Sequence, residues 1–314
     1  LNELRRDFPA GFLERYSQFI PDFDDFLRAM CAPLRRTFRV NTLKTSRARA
    51  LELLADLNPR PVPWCDLGFW VEDGERLGLR LEHFLGLIYV QEAASMVPPL
   101  LLSPLPGERV VDLAAAPGSK TTQMAAMMEN TGLIVANDQS PGRVRALISN
   151  VDRAGCLNVV VCRRDGGALA QALRGSCDRV LLDAPCSSEG TIRKSQEALD
   201  RWSVRAIERF SGLQRRLALA AYDALRPGGV MVYSTCTLAP EENEAVVTEL
   251  LRRRPGAELL TAALPGLRTR PGLGRFGPLK FPESVTACLR ILPQDNDTEA
   301  FFAAVIRRPG DEAR

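Results

Sequence analysis

From about residue 106 to the end, continuous apolar runs alternate with amphipathic stretches, and this alternation constrains the chain more than any other feature. The runs "ERVVDLA" (108–114), "GLIVANDQ" (132–139), "LNVVVCRRD" (157–165), "CDRVLLDAP" (177–185) and "VMVYSTC" (230–236) read as strands. Between them, "SKTTQMAAMMEN" (119–130), "PGRVRALISNVDRAG" (141–155), 203–225 and "EENEAVVTELLRRR" (241–254) read as helices, the second opening with proline in its first turn. "RPGG" (226–229) is expected to turn the chain into the fifth strand. Strands apolar on both faces must be covered on both faces. The alternation therefore predicts an α/β fold with a doubly wound, mostly parallel sheet. Two further strands near 285–291 and 300–306 would bring the sheet to seven.

Residues 1–105 follow another pattern, which sets the expected domain boundary between 1–105 and 106–314. Short amphipathic helices are expected near 10–19 and 22–31, a strand at 37–43, and a helix at 46–57 capped by Ser46. "NPRPVPW" (58–64) must be loop or sheet edge, and 92–103 begins helical and is expected to end at its prolines. Together these make a small α+β module. Within it, 35–49 holds six basic residues and no acid, and 267–280 is a second acid-free basic stretch. The net charge is only +3, so the chain is no polycation. These stretches are either solvated faces or phosphate contacts, and charge alone leaves both open.

The eight cysteines contain no CxxC pair, and His83 is the only histidine. That argues against the usual zinc spacings, a disulfide framework and histidine-based hydrolysis, so no metal is expected. A free cysteine is ordinarily a small buried hydrophobe, and Cys156, Cys162 and Cys177 read that way. No run approaches the roughly 18 apolar residues of a membrane span. The start, "LNELRRDFPAGF", lacks a signal-peptide core and begins at Leu1 rather than a methionine. A cytoplasmic monomer is the expectation.

In a doubly wound sheet, ligands bind beyond the carboxyl ends of the strands. Strand one delivers "DLAAAPGSKT" (112–121) there: small residues, a Pro-Gly turn and a helix N-terminus suited to an anion. The next three strands end at Asp138, Asp165 and Asp183. A P-loop would need a glycine five positions before Gly118 and no serine between Gly118 and Lys120. A dinucleotide fingerprint would need three glycines where this loop has one. A ligand with a small anionic end, a ribose and a base remains, and S-adenosylmethionine fits: carboxylate at the loop, ribose on Asp138, adenine near Asp165. For any one of these acids the plain alternative is a helix cap.

"VVDLAAAPGSKTTQMA", "LLDAPCSSEGTIRK" and "YSTCTLAPEENEAVV" together resemble the central motifs of the Nol/Nop/Sun (RsmB/RsmF-like) family of RNA cytosine-5 methyltransferases. The likeness runs from "RVNTLK" (39–44) and "GLIYVQEAASM" (86–96) to "LPQDNDTEAFF" (292–302). One departure is Ala114, a loop position where many members carry cysteine; little consequence is expected. The resemblance implies a Rossmann-like class I methyltransferase domain behind an N-terminal RNA-binding module. It also implies that Ala114, Ala115, Ala116, Pro117, Gly118, Ser119, Lys120, Asp138, Arg143, Asp165 and Asp183 surround S-adenosyl-L-methionine. For Arg143 a helix-face ion pair is the competing reading; Asp112 is expected to brace the loop.

The chemistry accounts for the thiols. Carbon 5 of cytosine attacks a methyl group poorly until a thiolate adds to carbon 6, and a carboxyl near N3 relieves the resulting charge. Asp183 suits that task if a dry pocket raises its pKa. Sequence physics assigns the attack to one of Cys186 and Cys236 without choosing. The resemblance assigns Cys236 as nucleophile and Cys186 as the thiol that assists release.

The target cytosine must be single-stranded or flipped out. Arg35, Arg36, Arg39 and Lys44 are candidate phosphate contacts, and Phe38 is read as core rather than as a stacking platform. A DNA methyltransferase would need a target-recognition insertion, for which the segment after 255 leaves little room. A non-catalytic RNA-binding module would not need both thiols, and a small-molecule methyltransferase would not need 35–49. With no added C-terminal RNA-binding domain apparent, ribosomal RNA is favoured over tRNA.

Overall fold

A computed structural model of the chain describes residues 8–72 and 76–310. The first seven residues, on which part of the no-signal-peptide expectation rests, lie outside the described residues.

The N-terminal module is a four-stranded antiparallel sheet made of β1 (Arg36–Val40), β2 (Arg60–Val62), β3 (Cys65–Val71) and β4 (Ile88–Val90), in the order β2-β3-β1-β4. Alternation along β1 puts Phe38 and Val40 inward, where they meet Phe69, Val71, Ile88 and, from the helix Arg47–Leu53 and the turn beyond it, Ala50, Leu54 and Leu57. Phe38 is fully buried and stacked on Phe69, with ring centroids 5.5 Å apart, so it belongs to the core as expected. Ser46 caps the helix by accepting from Arg49 N. Pro61 sits on an edge strand, where its missing N–H costs the ladder nothing.

The two preceding helices, Ala10–Tyr16 and Phe23–Cys31, do not join that core. Phe12, Tyr16, Ile20, Phe26, Leu27 and Met30 pack on Ile192, Leu238, Leu292 and Ala300, beside the thiol-bearing loops. Asp22, just ahead of the second helix, accepts two bonds of 2.6 Å from Arg270.

The main sheet contains β5 (Arg109–Asp112), β6 (Leu133–Asn137), β7 (Val159–Cys162), β8 (Cys177–Asp183) and β9 (Leu225–Thr235), all parallel, in the order β7-β6-β5-β8-β9. Its other strands are β10 (Glu258–Leu260), β11 (Arg270–Pro271), β14 (Leu289–Ile291) and β15 (Phe301–Arg307); β12 (Arg275–Phe276) and β13 (Leu279–Lys280) form a separate hairpin. β15 lies antiparallel between β9 and β14. The seven expected strands are present, and the short β10 and β11 extend the sheet to nine.

Two local expectations change. The helix expected to end at its prolines begins with them: Val97–Leu102 has Pro98 and Pro99 in its first turn, where no amide donor is needed. "RPGG" is no free turn. It is a bulge within β9, where the pairing with β8 shifts register between Cys177 and Arg179 and Gly228 takes φ +79°.

The strand order reverses between β5 and β8, which are neighbours in the sheet although β6 and β7 intervene in sequence. Their carboxyl ends open the crevice where such sheets bind ligands.

Candidate active site

The loop after β5 is packed tightly against the helix Pro141–Ala154. Gly118 has φ +107°, and a Cβ there would stand 3.0 Å from Leu147 Cδ1, so glycine alone suits the position. Arg143 donates to Ala116 O and Asn150 to Pro117 O at 2.8 Å, fixing the loop from outside. The helix Ser119–Met127 that follows has no side-chain cap, so its first amides face the crevice uncapped. Asp112 braces the loop through Thr121 Oγ1, which donates to it at 2.7 Å; burial raises this carboxyl to about 7.

Leu113, Ala114, Asn137, Asp138, Arg143, Asp165, Pro185 and Leu217 line a cleft of about 360 Å³. Asp138 is buried, and its Oδ1 accepts from Ser140 N at 2.9 Å. Its Oδ2 lies 3.3 Å from Arg143 Nη1 without forming a hydrogen bond and has no other partner. A buried acceptor left open at the cleft wall fits a ribose hydroxyl. Asp165 lines the same cleft but also takes the plain role: its Oδ1 caps the next helix by accepting from Ala168 N at 2.9 Å, and its Oδ2 pairs with Arg216 at 3.2 Å. Arg143 combines both readings, ion pair and loop brace. The small-residue loop and the open Asp138 oxygen fit S-adenosylmethionine.

Across the switch point, β8 and β9 deliver the thiols. Cys186 Sγ and Cys236 Sγ are 3.4 Å apart. The hydrogen bond to Cys236 comes first, then burial and Glu242, in pushing the Cys186 thiol well above its usual pKa. Cys186 therefore holds its proton, while either sulfur can donate across the contact. Asp183 Oδ1 accepts from Ser234 Oγ at 2.8 Å, and Oδ2 stands 2.7 Å from Lys120 Nζ. In place of the dry pocket considered for Asp183, the structure sets an ammonium against a partly exposed carboxylate. Lys120 also donates to Ser95 Oγ at 2.9 Å and lies 5.4 Å from the centre of the Phe301 ring. Burial works against its charge, but Asp183, Cys236 and Asp112 outweigh it, and Lys120 titrates above its ordinary value.

Two buried glutamates that sequence reasoning missed hold the thiol loops. Glu189 accepts from Tyr16 Oη (2.6 Å), Trp202 Nε1 (2.7 Å), Thr237 Oγ1 (2.8 Å) and Leu238 N (3.2 Å). Glu242 accepts from Ser187 N (3.1 Å), Ser187 Oγ and Gln214 Nε2 (2.7 Å), and burial raises it to about 7. Ser187 Oγ is 2.9 Å from Thr237 Oγ1, so neighbours of the two cysteines are joined directly. Gly190 allows this closeness: a Cβ there would meet Ala300 O at 2.4 Å and Cys236 O at 2.8 Å. Glu242 carried a sequence signal, an acidic run inside an apolar helix start; Glu189 carried none.

The basic strand divides. Arg39 is not available to phosphate, which corrects the expectation. It is 2 % exposed, and it donates to Gln91 Oε1 at 2.9 Å and Thr122 Oγ1 at 3.1 Å. β alternation explains the miss, since a one-residue step reverses the face. Arg35 pairs with Asp297 at 2.6 Å and lies over Trp70, Arg36 is exposed, and Lys44 is exposed with Nζ donating to Leu85 O at 3.0 Å. Arg35, Arg36, Thr37, Glu92, Arg193 and Lys194 line a cleft of about 350 Å³ between the small module and the Cys186 loop. Among the described residues no cluster could hold a metal, and no helix is long and apolar enough to cross a membrane.

The sequence model of the 16S rRNA methyltransferase RsmB/F family matches residues 99–307, and that of the N-terminal domain of 16S rRNA methyltransferase RsmF matches 8–93. The chain is 46% identical over 300 residues to the tRNA (cytosine(49)-C(5))-methyltransferase of Pyrococcus abyssi, covering 95% of each. It is 44% identical over 315 residues to ribosomal RNA small subunit methyltransferase F of Serratia proteamaculans, and spans 63% of that relative's length. Among solved structures, a methyltransferase homolog protein from Pyrococcus horikoshii superposes with a TM-score of 0.86 at 36% identity, covering 98% of each chain. NSun6 from the same organism, with SFG, gives 0.83 at 25% identity over 97% of this chain and 99% of that one. The two thiols, the cofactor cleft and these matches agree: the chain belongs to the RsmB/F family, the Nol/Nop/Sun S-adenosylmethionine-dependent RNA cytosine-5 methyltransferases.

Proposed function

We propose that this RNA cytosine-5 methyltransferase works through a covalent bond from Cys236 to carbon 6 of a flipped-out cytosine, with Cys186 assisting release. What supports the assignment is the surroundings of the thiol pair: Cys186 is held protonated 3.4 Å from Cys236, and Cys236 lies close enough to Lys120 to interact with its charge. A cation close to a cysteine pair stabilises negative charge on the sulfur nearer to it, which is the charge a nucleophilic thiol must carry.

Addition of Cys236 loads negative charge onto the ring at N3. The Lys120–Asp183 pair answers it, the ammonium supplying countercharge and the carboxylate an acceptor for the exocyclic amino group. S-adenosylmethionine supplies an electrophilic methyl group on sulfur. Asp138 and the 114–120 loop hold it, and Phe301 together with the apolar wall around Cys236 limits water. After transfer, water takes the carbon-5 proton, the carbon 5–carbon 6 double bond re-forms and Cys236 leaves as thiolate, with the Cys186 thiol at 3.4 Å placed to stabilise the departing sulfur.

Arg35, Arg36 and Lys194, on the cleft between the module and the Cys186 loop, are the proposed phosphate contacts, with exposed Lys44 farther along. Ribosomal RNA is the first reading of the substrate, since both matching family models are those of 16S rRNA enzymes. The Pyrococcus abyssi relative favours tRNA as the second. Incubation with labelled cofactor and separate rRNA, tRNA and DNA pools, followed by mapping of the methylated base, decides between them. Label in DNA alone would overturn the reading.

A further inference from the structure

The same thiol pair carries chemistry that methyl transfer does not use. We infer that Cys186 and Cys236 form an oxidant-reactive dithiol, a modification site that hydroperoxides convert to an intramolecular disulfide. Its effect on activity rests on the catalytic reading above; its formation does not.

The sulfurs start 3.4 Å apart and need to close by only about 1.4 Å to reach bonding distance. Their loops are already held together. Ser187, next to Cys186, and Thr237, next to Cys236, are 2.9 Å apart, and Glu189 and Glu242 anchor both. Closure therefore takes side-chain rotation rather than loop movement. Access is also built in. Cys186 opens onto a second cleft of about 360 Å³ lined also by Ser187, Ser188, Thr191 and Ser195, and the sulfur of the partly exposed Cys236 lies 3.4 Å from the Cys186 sulfur, within reach of a small oxidant that enters there.

The chemistry balances. Cys236 thiolate attacks one oxygen of hydrogen peroxide, the O–O bond breaks, and hydroxide leaves a sulfenic acid. Cys186 sulfur then attacks that sulfur, the S–O bond breaks, and the departing hydroxide takes the Cys186 proton. Overall, two thiols lose two electrons and two protons, and peroxide becomes two waters. Cys186 thus acts as the resolving thiol that keeps Cys236 from irreversible oxidation. The disulfide blocks addition to the base until a thiol reductant reopens it.

The test treats the full chain, without RNA, with hydrogen peroxide and maps the products by mass spectrometry after non-reducing digestion. The expected product is a peptide linked through Cys186 and Cys236. Dithiothreitol should remove the link and restore any methyl transfer that was lost. In Cys186→Ser no such peptide can form, and Cys236 should reach sulfinic acid about tenfold faster than in the wild type. A wild-type protein that yields no linked peptide, or whose Cys236 overoxidises as fast as in Cys186→Ser, overturns the inference. Because the linked peptide is read without substrate, a protein that methylates no RNA yet forms it would refute the catalytic reading alone.

Discussion

The two halves of the crevice are built differently. The cofactor half, from β5 to β7, is made of neighbours in sequence: a loop of small residues, a glycine at positive φ, and acids at successive strand ends. Its polar groups are partly open, as Asp138 Oδ2 shows, which is ion-paired with Arg143 but accepts no hydrogen bond. The thiol half, from β8 to β9, is clamped by carboxylates with no exposure, and Glu189 gathers donors as distant in sequence as Tyr16 and Leu238. A half that must admit and release a diffusing cofactor keeps acceptors free. A half that must hold two sulfurs in register gathers many donors onto its buried carboxylates.

Removing the proposed nucleophile should have the largest effect. Cys236→Ala should lower turnover by at least about a thousandfold, measured as label transferred to RNA. Normal turnover in that variant would erase the distinction between the thiols. Cys186→Ala should instead stall after methylation, seen on a denaturing gel as protein covalently bound to RNA.

The clamp itself comes next. Glu189→Ala removes the shared acceptor of Tyr16, Trp202, Thr237 and Leu238 and should cost about 3 kcal/mol in urea unfolding, whereas Asp138→Ala should leave stability nearly unchanged and raise the KM for cofactor about tenfold. Equal stability losses in the two variants would dissolve the comparison between the halves.

A smaller effect concerns pH. Asp112 and Glu242 both titrate near about 7 through burial, far above their unfolded values. Between pH 6.5 and 8 the folded protein gives up protons that the unfolded chain has already lost, so stability should fall as pH rises, by roughly 1 to 2 kcal/mol in total. Urea midpoints across that range check it, and a rise would contradict the burial argument. Smallest of all, Arg36→Ala should weaken RNA binding and reduce the salt slope by about 1, while Arg39→Met should leave the slope unchanged.

The same contrast explains how much was legible beforehand. The strands and helices after 106, the loop at 114–120 and both thiols lie in local patterns of period two, period 3.6 or fixed spacing, and they were readable. Arg39 was misassigned because charge composition does not say which face of β1 a residue takes; only the pairing with β3 and β4 does. Glu189 stood in "SSEGT" with no pattern around it, and its role exists only because the first helix folds back across the chain to bring Tyr16 to it. Lys120 and Asp183 were both readable as site residues, but their 2.7 Å contact depends on the β5–β8 adjacency that the crossover creates.

The central claim is that Cys236, rather than Cys186, bonds to the base. RNA carrying 5-fluorocytosine at the mapped target position, incubated with cofactor, blocks loss of the carbon-5 substituent and preserves whatever bond has formed. Digestion and mass spectrometry should locate the nucleotide on Cys236. A nucleotide found on Cys186, or no protein–RNA bond at all, would contradict the account.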